Sequence, residues 1–262
     1  MLISEHAAAI ATFEQAIVQD PHLLSAYDGL GWLYISKFSD FESALAVYER
    51  GLAANPAAPM LSACLGSCYA RMGQIDKALE ILERSAKEHP DQVFAPSWLS
   101  YLYFRLNRLE QAAVCCRREI ELADAHSPHR VLGFIYLLQG RRGEAVAELE
   151  RAVELESHDY EARAALAKIH QESGNLNQSE YQYARGKEMS LEDGEAGLAC
   201  FYAVYGDAEQ ALTLLQIGCD KGQLSPGWIR IDPELYFIQE DPRFQALIRA
   251  SSSGSGQFTV RA

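Results

Sequence analysis

The sequence predicts an all-α solenoid of antiparallel helix pairs, and three observations carry that expectation. A small residue followed three positions later by a ring recurs roughly every 34 residues, from Gly31 and Tyr34 through Gly66 and Tyr69, Ser100 and Tyr103, and Gly133 and Tyr136, to Ala199 and Tyr202. In step with it runs a second series of small residues: Ala9, Ala44, Ala78, Ala112, Ala145, Ser179 and Ala211. Breakers fall between the two series, as at Gly73, Gly140 and Gly206, so each period holds two helices joined by a short turn. So few joining residues force the two helices to pack antiparallel.

The elements follow in order. Residues 1–21 read as a lone second helix, with Ala9, Phe13 and Ala16 and the closing Pro21 but no partner before it. Its stripe of Ile10, Phe13 and Ile17 has one side to pack on, which predicts a chain cut from a longer protein, a cap or a self-association surface. Residues 22–220 hold about six helix pairs. In the pair from Met60 to Pro90, Leu61, Leu65 and Tyr69 mark one face of the first helix, Gly66 lets a neighbour approach closely, and Ala78, Leu79, Leu82 and Ser85 mark the second. The pair over 22–56 carries one extra residue near Phe38 to Phe41. The pair over 126–157 opens on Ser127-Pro128, read as a cap and a first-turn proline. Residues 159–190 keep the register with His170 and Ser179 at the marked positions. Residues 221–250 change character: Asp232-Pro233 and Asp241-Pro242 start short capping helices that carry Leu235, Phe237, Ile238, Phe244 and Leu247. Residues 251–262 read as a disordered tail.

Composition narrows the function. A formal net charge of −13 argues against partners bound by neutralising phosphates, so no nucleic acid is expected. No membrane span is visible, and the six cysteines lack zinc spacing, so reduced thiols in a cytoplasmic chain are expected. His126 and His129 near Cys115 and Cys116 form a weak metal-like cluster, Cys64 and Cys68 have no histidine beside them, and no phosphate loop occurs. The expectation is therefore no enzyme, no cofactor and no metal.

The ladder Tyr27, Leu30-Gly31, Tyr34, Ala44, Tyr48, Gly51 and Pro56, repeated with variations over roughly residues 5–220, resembles the tetratricopeptide repeat. The departures are Asp124 and Ser157 at the closing-proline position and the polar His170. The resemblance implies a right-handed superhelix whose first helices line a concave groove, with the residue after the motif glycine facing into it. That implied face carries Trp32, Tyr101 and Phe134 and, one turn away, Arg71, Arg105 and Arg130. Rings and arginines are the usual anchors of protein interfaces. The chaperone-tail clamp of such grooves is missing, because Asp28, Trp32, Ser67, Ser97 and Tyr101 stand where it would need lysine, asparagine and arginine. The C-terminal ending is similar to the tails of repeat regions in bacterial signalling proteins. Two functional expectations result: a non-catalytic scaffold that binds a protein or peptide in the concave groove, or a regulatory or oligomerising module of a larger signalling protein, homodimerising through Ile10, Phe13 and Ile17.

Overall fold

A computed structural model describes residues 2–224 and 226–250, so the tail expected at 251–262 lies outside the described residues. Helices make up the chain, and no strand occurs among the described residues. The helices are α1 (Leu2–Gln19), α2 (Leu24–Leu33), α3 (Phe41–Ala54), α4 (Pro59–Arg71), α5 (Ile75–Glu88), α6 (Phe94–Arg105), α7 (Leu109–Leu122), α8 (His126–Leu138), α9 (Arg142–Leu155), α10 (Tyr160–Glu172), α11 (Leu176–Ser190), α12 (Gly194–Tyr205) and α13 (Ala208–Asp220). After them come α14 (Pro226–Ile231), a 3-10 turn (Pro233–Ile238) and α15 (Pro242–Ala250). None is long and apolar enough to cross a membrane. The chain divides into two compact units, one through Leu102 and one from Tyr103 onward.

The motif glycines do what their spacing implies. A Cβ on Gly66 would stand 2.7 Å from Leu82 Cγ, and one on Gly133 would stand 2.6 Å from Leu149 Cγ. In each pair the second helix therefore sets a leucine against bare backbone of the first. Tyr48 fills the same place opposite Gly31.

The turns are equally regular. The backbone N–H of Gln74 donates to the carbonyl of Tyr69, Arg108 to Tyr103, Arg141 to Tyr136, Asn175 to His170 and Asp207 to Tyr202. A left-handed residue precedes each donor, with φ of 79° at Gly73, 56° at Asn107, 73° at Gly140, 78° at Gly174 and 101° at Gly206. His170 thus keeps the backbone geometry of the tyrosines it replaces. In the first pair the equivalent bond runs from Asp40 to Tyr34, one residue longer, and the extra residue is absorbed by a π turn over Tyr34–Phe38 with Ser39 left-handed at φ 50°.

Unit 1 is cored by Tyr27, Leu30, Ala44, Val47, Tyr48, Leu61 and Cys68. Ile17 belongs to that core, and Ile10 and Phe13 pack against it. The ring of Phe13 lies over Gly29 of α2, where an added Cβ would come within 2.5 Å. The stripe read as a self-association surface is therefore occupied inside unit 1.

Two local expectations are corrected. Helix α8 begins at His126 behind an extended Ala125, so Ser127 lies inside the first turn and is not its cap. The missing closing prolines are replaced by polar contacts: Asp124 accepts from His129 Nε2 at 2.7 Å and Arg151 Nη2 at 2.5 Å, and the carbonyl of Ser157 accepts from Arg163 Nη2 at 3.0 Å.

Candidate interaction faces

The residue after each motif glycine, with its neighbours one turn away, marks one face of each first helix. In unit 1 that face is partly open. Trp32 on α2 is 58% exposed. Arg71, the last residue of α4, lies over the Trp98 ring with 5.8 Å from Cζ to the centroid, and Tyr101 meets the same ring edge-on at 6.3 Å. The spacing rule passed over Trp98, although it stands one turn before Tyr101 on α6 and joins Tyr101 to Arg71. On α2, Asp28 accepts from the Cys64 thiol at 3.5 Å.

In unit 2 the same register positions are covered by the C-terminal segment. Phe134 is fully buried, 6.1 Å from the Phe104 ring and edge-on to Phe237 at 5.3 Å. Arg105 donates from Nε to the carbonyl of Arg230 at 3.3 Å, and its guanidinium lies over Phe244 at 5.6 Å. Arg130 meets Asp159 at 3.0 Å, Glu161 at 3.4 Å and, through Nε, Glu234 at 3.0 Å. Two of the three arginines expected to await a partner's carboxylate or phosphate are thus engaged by this chain.

Burial shapes the electrostatics of this cluster. Loss of water, only partly offset by Arg130, pushes the Glu161 carboxyl up to about 8 and Glu234 well above the usual carboxylate range, with the neighbouring Asp232 adding to the latter. Burial also pulls Arg105 down to about 10, against the pull of Asp232 and Glu234. The Cys200 sulfur and one carboxylate oxygen each from Asp232 and Glu234 lie within 4.8 Å of one another, a spacing that could hold a metal ion. Here the Cys200 thiol donates to Asp232 at 3.7 Å and Arg130 stands against Glu234, so a proton and a guanidinium answer the charge. The weak cluster at His129 resolves into a hydrogen-bonded site, with Nδ1 at 2.5 Å from Glu148 and Nε2 on Asp124.

The thiols are poor nucleophiles. Burial, then Asp28, pushes Cys64 up to about 12; burial alone does so for Cys68; Cys200 is raised well above the ordinary thiol range. A cleft between α13 and α15 is lined by Leu212, Ile217, Ala246 and Leu247 with Cys219, Asp220 and Arg243. Its arginine is held by Glu209 at 2.6 Å and Asp241 at 3.0 Å.

Sequence reasoning treated residues 232–238 as a cap and missed that they fill this face. The available signal was complementarity: two acids and two rings in one short segment, matching Arg105, Arg130 and Phe134.

Comparisons agree with this architecture. Family models described as Tetratricopeptide repeat match residues 37–96 and 126–151. Among solved structures, a MamA is 19% identical with a TM-score of 0.52, covering 63% of this chain and 97% of its own. MamA from Desulfovibrio magneticus RS-1 is 13% identical with a TM-score of 0.53, covering 65% and 96%. PilW, described as a widely conserved type IV pilus biogenesis factor, is 18% identical with a TM-score of 0.57, covering 82% and 97%. At these identities the likeness is one of fold. No curated protein sequence matches significantly.

Proposed function

Because the chain is built of tetratricopeptide repeats, we propose that it is a non-catalytic scaffold that holds a protein segment against the first-helix face of unit 1. The observation that carries this reading is the set of rings and cation on that face: Trp32 largely exposed on α2, and on α4 and α6 the Arg71 guanidinium over the Trp98 ring with Tyr101 edge-on to it. Tryptophan and tyrosine combine large contact area with few rotatable bonds, and arginine adds a planar fork of donors, which is why these three are enriched where binding energy concentrates. Recognition alone would be the mechanism, with no bond made or broken. Thiols held protonated and a buried arginine cluster committed to ion pairs fit a surface better than a reaction centre. A cytoplasmic setting, where six free thiols stay reduced, goes with this reading. A homodimer through α1 would have to use a stripe already packed in part within unit 1, with Ile17 in its core and Ile10 and Phe13 partly buried against it.

The test is a peptide-display selection on the full chain, followed by affinity measurements on the selected sequences. Trp32→Ala with Tyr101→Ala should weaken them about tenfold or more, which corresponds to roughly 1.4 kcal/mol, with helix content by circular dichroism unchanged. Equal affinity for wild type and double variant sinks the proposal.

A further inference from the structure

The segment from Arg230 to Ile238 meets unit 2 through contacts of the kind a bound peptide makes. The carbonyl of Arg230 accepts from Arg105, Asp232 from the Cys200 thiol, and Glu234 pairs with Arg130. Leu235 is fully buried, the Tyr236 ring lies 4.8 Å from Phe104 while its hydroxyl donates to Asn107 at 2.9 Å, and Phe237 stands edge-on to Phe134. These partners lie on α6, α8 and α12 and in the turn after α6, over a hundred residues from the segment in several cases. They include the register positions that in unit 1 leave Trp32 exposed.

Two features mark this as an occupied recognition face. Four carboxylates, Asp159, Glu161, Asp232 and Glu234, gather around the largely covered Arg105 and Arg130, and among the described residues Arg105 Nη1 has no hydrogen-bond partner. Buried ion pairs add little net stability over an apolar filling but impose strict register and partner choice. The segment is also short, its contacts come from the end of α14, Asp232 and one 3-10 turn, and it follows a turn at Gly222 with φ of 68°. A tethered ligand of this sort competes at a high effective concentration.

We propose that this face of unit 2 is a peptide-binding site filled in cis by the chain's own Asp232–Ile238 segment. Its trans occupant is a protein segment of the same chemistry: two carboxylates two residues apart, then a leucine and two rings. The proposal extends the reading of first-helix faces as peptide surfaces, but it rests on different residues from those of unit 1.

The probe is a fluorescein-labelled synthetic peptide with the sequence of residues 230–240, added to the full chain and followed by anisotropy. Wild type should bind it weakly. A full chain with Tyr236→Ala and Phe237→Ala, whose own segment grips less well, should bind it about tenfold or more tighter. Adding Arg130→Met to that variant should abolish the gain. A second measurement covers the case in which the variant does not fold: hydrogen exchange on wild type with excess unlabelled peptide should increase deuterium uptake in residues 230–238. Absence of binding by a folded variant, or unchanged exchange in wild type, shows a fixed cap and overturns the proposal. So does binding that survives Arg130→Met. None of these results depends on Trp32 or Tyr101, so the unit 1 reading stands or falls separately.

Discussion

Gly133→Ala tests the physical basis of the helix pairing. The new methyl group would sit 2.6 Å from Leu149 Cγ, 2.8 Å from its Cδ2 and 3.4 Å from the carbonyl oxygen of Ala145. Leu149 is fully buried, so it has no open space to retreat into. Alanine favours a helix over glycine by about 1 kcal/mol, and overpacking a tight core costs about 1–3 kcal/mol. The clash should win, with a net loss of up to about 2 kcal/mol. Gly143→Ala is the control, because it lies in α9 with nothing within 4 Å of its new methyl. There only the propensity gain remains, and stability should rise by a few tenths of a kcal/mol to about 1. Urea unfolding followed by circular dichroism reads both, and Leu149→Ala should recover part of the loss in a double-mutant cycle. The same sign should appear at Gly66 against Leu82. If Gly133→Ala and Gly143→Ala prove equally stable, the close approach of α8 and α9 is wrong and so is the reasoning from spacing to packing.

Other expectations concern charge and thiols. Glu161 and Glu234 titrate higher in the fold than in the unfolded chain, so the fold holds more protons above the ordinary carboxylate range, for Glu161 up to about 8. Their contribution is complete in acid and is lost as pH rises, for Glu161 through about 8; the stability of unit 2 read from urea unfolding should therefore fall from pH 5 to 8, by up to about 1.4 kcal/mol per pH unit per proton, and Glu161→Gln should flatten that slope. Arg130→Met strands carboxylates that Arg130 now meets and should cost about 3–5 kcal/mol, with a larger drop in melting temperature at pH 8 than at pH 5. With Ellman's reagent at pH 8, partly exposed Cys115 and Cys219 should react first, and Cys68 and Cys200 only after urea is added. Phe13→Asp should lower thermal stability while leaving the mass by light scattering unchanged, because the ring covers Gly29 within the chain.

The helix pairs were legible because they obey local rules that repeat. Gly66 lies sixteen residues before Leu82, and Gly133 lies sixteen before Leu149, so one spacing produces one contact. His170 could be placed from its neighbours, since the turn to Asn175 is made by backbone groups whatever the side chain. The candidate faces were legible only as register positions. Whether such a position is open depends on what lies over it: Trp32 is exposed, while Phe134 is covered by Phe237, more than a hundred residues away and outside the repeat. Periodicity carries no information about a contact made once. The contact of Phe13 with Gly29 of α2 is likewise one that the period does not mark.

The π turn over Tyr34–Phe38 gives the first pair a tolerance the others lack. Its wider loop stores one residue of slack between the ring of the first helix and the start of the second, while Asp40 still caps α3 by accepting from Ser43 at 3.0 Å. Removing Ser39 would let the bond now running from Asp40 to Tyr34 close at the length used between Gln74 and Tyr69. The helix pair could then re-form with its neighbours' geometry. Insertions and deletions in such an array therefore need not shift every later repeat out of phase: a single helical turn can take up the difference and leave the next helix docked where it was.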